Sequence, residues 1–132
     1  MKNLIKKGYS LFVMRLIIVA IFFYHGLPKA IDWTMAADKF QSMGFPGMLG
    51  PIVGIAEIVA GFFLLIGLWT RASATVLGVI IVVAIAGVQI PGAVEAGKLL
   101  VTGLERDLLI FAGLLSLISY GAGSLSISST EV

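Results

Sequence analysis

Six side chains carry the chemistry this chain is equipped to do: His25, Lys29, Glu57, Gln89, Glu105 and Arg106. His25 and Lys29 stand four residues apart and so are neighbours on one face of a helix. Glu57 belongs to the series Gly50, Gly54, Glu57, Gly61, whose members fall within about 60° of one another on a helix. Small residues on such a face let a second helix approach closely, which places the carboxylate inside a packing surface. A histidine that can donate, a carboxylate that can relay a proton and a cation that balances charge suit proton-coupled chemistry. His25 and Glu57 are the catalytic candidates. Lys29, Gln89, Glu105 and Arg106 are candidates for ligand contact or for a polar network.

Each has a plainer explanation. His25 could be a hydrogen-bonded core histidine, and His25-Gly26-Leu27-Pro28-Lys29 could be a kink, because Pro28 frees the carbonyl of Tyr24. Glu105 completes a capping box with Thr102 and complements a helix N-terminus. Arg15 reads as a cation that snorkels to an interface, and Arg71 as a topology anchor. Glu57 has no helix end to excuse it. A metal held by His25, Glu57 and Glu105 lacks a ligand-spacing signature, so no metal is assigned. With no cysteine and one histidine, the chain offers no thiol redox centre and cannot supply two axial haem ligands.

The elements that position these residues are apolar helices. Apolar residues make up 59% of the 132 and charged residues 12%, whereas a soluble domain carries about 25% charge. The shortfall leaves a surface suited to lipid. Four stretches are long enough for the roughly 20 residues of a membrane-spanning helix: about 9–31, 48–69, 72–91 and 104–120. No alternation of period two supports a barrel. The first stretch is too long for a signal-peptide core and has no small-residue exit, so it is expected to be retained. The chain is read as a single all-α domain, 1–132: a transmembrane four-helix bundle with a short interfacial helix between helices one and two. Asp32 caps that short helix, Trp33 anchors it, and it ends near Gly44. Thr70-Arg71 is the expected turn between helices two and three, and Pro91–Gly103 a loop. The tail, 121–132, is expected to be poorly ordered.

Helical phase predicts inward faces of Thr75, Gly78, Ala86 and Gln89 on helix three, and of Glu105, Ala112, Ser116 and Ser119 on helix four. Asp107 is expected to point away. By rise per residue, His25 lies about 9 Å and Glu57 about 13 Å below one membrane boundary, so the candidates converge at one level. A carboxylate there must be paired or protonated, and Lys29 or Arg106 is the expected partner. Lys2, Lys6, Lys7 and Arg71 flank one side, which predicts both termini in the cytoplasm. The basic residues are scattered, which argues against nucleic acid.

The motifs Phe22-Phe-Tyr-His-Gly-Leu-Pro-Lys29, Gly54-x-x-Glu57-x-x-x-Gly61, Gly67-Leu-Trp-Thr-Arg71 and Gly103-Leu-Glu105-Arg-Asp, in this order, resemble the DoxX family across about residues 9 to 120. The resemblance implies a four-helix protein of a bacterial or archaeal cell membrane, loosely tied to redox systems, and supports His25, Lys29, Glu57 and Glu105 as the residues to test. Three functions compete. The first is a membrane subunit of a quinone-linked redox system, fed with electrons by a partner. The second is a non-catalytic accessory subunit of a larger membrane complex. A small transporter or channel, as a homo-oligomer, ranks third. Quinone is the one cofactor suggested, and the bilayer and protein subunits are the partners.

Overall fold

The computed structural model describes residues 7–98 and 102–127, and all regular structure among them is helical. The elements are α1 (Lys7–Ile31), α2 (Trp33–Ser42), α3 (Leu49–Ile66), α4 (Thr70–Ala84), a π-helical turn (Ile85–Gln89), α5 (Ile90–Ala96) and α6 (Thr102–Tyr120). Four antiparallel columns form a transmembrane bundle: α1, α3, the run α4–π turn–α5, and α6. α1 packs most extensively on α3, and α4 on α6. The core between them is aliphatic, with Leu64, Leu77, Leu114 and Leu117 sealed at its centre.

The α1–α3 contact is made by glycine. A Cβ on Gly54 would stand 2.8 Å from the Ala30 nitrogen, and one on Gly61 would stand 2.8 Å from the Phe23 ring. The face of Gly50, Gly54, Glu57 and Gly61 is therefore buried as the sequence predicts. Chain order supplies the rest: Gly67, at φ 72°, ends α3 with its amide on the Leu64 carbonyl and that of Leu68 on Phe63. This is a left-handed cap that glycine adopts without strain. The turn is thus Gly67–Trp69, and Thr70 and Arg71 already belong to α4.

Among the described residues three helical runs, 8–31, 49–66 and 70–96, are long and apolar enough to cross a bilayer. The third corrects the expected loop at Pro91. Proline is compatible with the first turn of a new helix, so Pro91 sits at the start of α5 and the run continues to Ala96. α6 opens on Glu105, Arg106 and Asp107, which makes it the most polar column. Asp32 caps α2 as predicted, its side chain accepting from the Met35 amide at 3.0 Å. Only Ala36 of α2 is buried, and Trp33 projects outward.

Two expected inward faces hold only in part: on the third column Gly78 is buried and Gln89 lines the interior, but other members of both faces turn away. Thr75, Ala86, Glu105, Ala112 and Ser119 face outward. α6 instead buries Leu104, Asp107, Ile110, Leu114 and Leu117. Small hydroxyl residues need no interior here because each can bond its own helix: Ser116 Oγ donates to the Ala112 carbonyl at 3.2 Å, and Thr75 Oγ1 to Arg71 at 2.7 Å.

The two ends of the bundle differ in kind. At the end holding the start of α1, Arg15 is fully buried. Its Nε donates to Ala122 (2.9 Å), Nη1 to Leu64 (3.0 Å) and Leu65 (2.8 Å), and Nη2 to Ser124 (2.7 Å) and Leu125 (2.9 Å), all at backbone carbonyls. Arg15 is not a snorkelling residue. Residues 121–127 are not loose either: Ser124 donates its amide to the Gly8 carbonyl and Ile127 to Ile66, so the segment closes over that end. The remainder of the tail lies outside the described residues.

Candidate functional site

At the opposite end the bundle is hollow. A cavity of about 410 Å³ lies between α1, α3, α4, the π turn and α6, with α2 across it. Its walls are apolar, built from Ile21, Phe22, Phe40, Phe45, Val53 and Ile80 among others. Seven polar side chains also line it: His25, Lys29, Lys39, Glu57, Gln89, Arg106 and Asp107.

Helix phase and close approach position each of them. Lys29 lies one turn beyond His25 on α1, and its Nζ reaches Glu57 Oε1 on α3 at 2.8 Å. Glu57 is 3% exposed. Its carboxylate fits because the residue opposite is Gly26: a Cβ there would stand 2.8 Å from Oε2. Oε2 is buried and has no hydrogen-bond partner among the described residues. Lys29 also stands 6.0 Å above the Phe40 ring, a contact that ties α2 to the pair.

A second group meets the first from α6. Arg106 Nε donates to Asp107 Oδ1 at 2.9 Å, and Gln89 Nε2 donates to Asp107 Oδ2 at 3.0 Å. Arg106 Nη1 lies 3.5 Å from His25 Nε2. Because guanidinium can only donate, Nε2 is the acceptor in this contact. The π turn makes the Gln89 bond reachable. Continuing α4 at about 100° per residue would carry Val88, not Gln89, onto the line of Ala74, Leu77 and Ile81. The wider turn holds the phase back by about one residue and swings Gln89 inward. Gly103 leaves room for its amide, since a Cβ there would collide with Gln89 Oε1.

The structure thus brings together His25, Lys29, Glu57, Gln89 and Arg106, and leaves out Glu105, which faces outward in the first turn of α6. His25, Glu57 and Glu105 accordingly do not come together as a metal-ligand group among the described residues. Lys29 is the partner of Glu57, and Arg106 pairs with Asp107 instead. Asp107, 2% exposed, is the residue that sequence reasoning turned the wrong way. Its spacing of three from both Leu104 and Ile110 was the available signal.

The residues that match known proteins run through this site. A Haemophilus influenzae protein described as uncharacterized is 28% identical over 131 residues, covering 98% of this chain and 96% of its own length. No solved structure matches. The DoxX family model matches residues 10–90, which include His25, Lys29, Glu57 and Gln89 and end before Arg106 and Asp107. With more than half its length matched and its apolar helices arranged as a membrane bundle, this chain is a member of the DoxX family.

Proposed function

We propose that the chain is a quinone-binding subunit of a membrane redox system, with the cavity as its quinone site. One observation carries the reading: an apolar hollow in the membrane-embedded part of the bundle, lined also by polar groups from α1, α2, α3, the π turn and α6. Its volume of about 410 Å³ falls within the ~300–1,000 Å³ of small-molecule sites. A quinone needs apolar walls for ring and tail, donors for its carbonyls and groups that exchange protons. Reduction to quinol takes up two electrons and two protons. His25 and Glu57 are suited to pass protons, and Lys29 holds Glu57 in place. Electrons come from a partner subunit, because the chain carries no cysteine and a single histidine. In this reading the protein sits in a bacterial or archaeal cell membrane with both termini in the cytoplasm, an orientation supported by the lysine and arginine distribution.

The accessory-subunit reading draws on a different observation. Lys29 with Glu57 and Arg106 with Asp107 neutralise one another, as a purely internal network does.

Purified protein in nanodiscs, titrated with ubiquinone-1, tests the proposal. Saturable binding is expected, and Val53→Trp, which fills the cavity, should abolish it. No saturable binding, or binding indifferent to Val53→Trp, refutes the quinone site and leaves the accessory role.

A further inference from the structure

The donors and acceptors at the polar end of the cavity are unevenly available. Glu57 Oε1 is taken by Lys29, and Oε2 is shut against Gly26. Both oxygens of Asp107 are taken, one by Arg106 and one by Gln89. Gln89 Oε1 abuts Gly103, and His25 Nε2 faces Arg106. The side-chain acceptors are engaged or enclosed.

The donors are not. Lys29 carries three N–H groups and spends one on Glu57. Arg106 carries five; among the described residues its bonds use one at Nε and one at Nη1, and Nη2 makes none. The Arg106 side chain is 40% exposed, and it lines the cavity. Lys29, Lys39 and Arg106 against Glu57 and Asp107 also leave one positive charge in excess. Asp107, itself fixed by Gln89, holds Nε and so fixes the direction in which the rest of the guanidinium points.

We infer that the site selects a hydrogen-bond acceptor, and, resting on the quinone reading above, that it binds oxidised quinone in preference to quinol, with Arg106 donating to the quinone carbonyl. The two redox forms differ little in shape but oppositely in hydrogen bonding. Quinone oxygens only accept, whereas each quinol hydroxyl must donate or leave its proton without a partner. Where each carboxylate oxygen is already bonded once by a charged or amide donor or shut against a neighbouring helix, a quinol hydroxyl competes poorly for a place to donate, and an unmade bond in a buried site is costly. Arg106 is the specificity-determining residue in this assignment. Asp107 and Gln89 are positioning residues that act through it.

Equilibrium dialysis of the nanodisc-embedded protein against ubiquinone-1, and anaerobically against ubiquinol-1, reads the preference directly. Quinone is expected to bind at least about tenfold more tightly, a difference in keeping with one buried hydroxyl left unbonded. Arg106→Gln should weaken quinone by about that factor, leave quinol unchanged and so erase the ratio. A smaller ratio in the unmodified protein, or a preference for quinol, overturns the inference while leaving the quinone site standing. If neither form binds, the quinone reading itself falls and takes the inference with it. An unchanged ratio in folded Arg106→Gln removes Arg106 from the role. Should that variant not fold, the ratio in the unmodified protein decides alone.

Discussion

Arg15 and Arg106 are both arginines in a membrane protein, at opposite ends of one bundle, and they are handled in opposite ways. Arg15 spends all five N–H donors on backbone carbonyls and is sealed from every side. Its acceptors include Leu64 and Leu65, in the last turn of α3, where helix carbonyls have no partner within the helix. The cation thus caps α3 and fastens the segment after α6 at once. Arg106 leaves donors over and stands beside a cavity. A buried charge whose bonding capacity is used up serves the fold. One held by a carboxylate at the wall of an apolar cavity keeps donors that the fold does not use, and the proposed quinone site rests on them.

Removing Arg15 should give the largest effect. Arg15→Met strands carbonyls at three places, at about 1–3 kcal/mol for each group left without a donor. Little monodisperse protein should survive extraction, and wild-type recovery would make the Arg15 end dispensable. Glu57→Ala comes next: breaking a buried pair costs about 3–5 kcal/mol because Lys29 is left stranded. Detergent unfolding of the purified variant measures it. Glu57→Gln keeps an acceptor for Lys29 and should fold. If the pair is catalytic this variant assembles without turnover, and if structural it retains all activity.

Gly54→Ala should cost about 1–3 kcal/mol through overpacking, since the new methyl meets the backbone of α1 at Ala30. The loss should appear as a lowered unfolding midpoint. The smallest effect belongs to Asp32→Ala, about 1 kcal/mol from the lost cap, with ubiquinone-1 affinity within twofold of wild type. A large loss of affinity there would mean that α2 governs the cavity it lies across.

The sequence made the α1–α3 half of the molecule legible because glycine spacing and one carboxylate without a helix end point to the same face. Cost alone requires Glu57 to be paired with Lys29 or Arg106 or to be protonated, and the structure selects Lys29. The α4–α6 half was harder. A π turn has no strong sequence signature, yet it resets the phase of everything beyond Ala84, so Ala86 turns outward while Gln89 still arrives inside; Thr75, which precedes the turn, simply lies off the buried line of Ala74, Leu77 and Ile81 and bonds its own helix. On α6, serine and alanine were read as interior, although lipid accepts a serine whose hydroxyl bonds its own helix. Phasing α6 on those residues turned Glu105 inward and Asp107 outward. Arg15 was misjudged for another reason: its acceptors are main-chain carbonyls, which no residue type announces.

The clasp at Arg15 also has a history within each molecule's synthesis. The arginine and the Ala122 carbonyl it binds are 107 residues apart, and at about 5–20 residues per second a ribosome takes roughly 5–20 s to make that stretch. During that interval α1 is already made while the acceptors at Ala122, Ser124 and Leu125 do not yet exist. Only the carbonyls of Leu64 and Leu65 can be made available to the guanidinium earlier, and the other three bonds wait until the last helix has been synthesised.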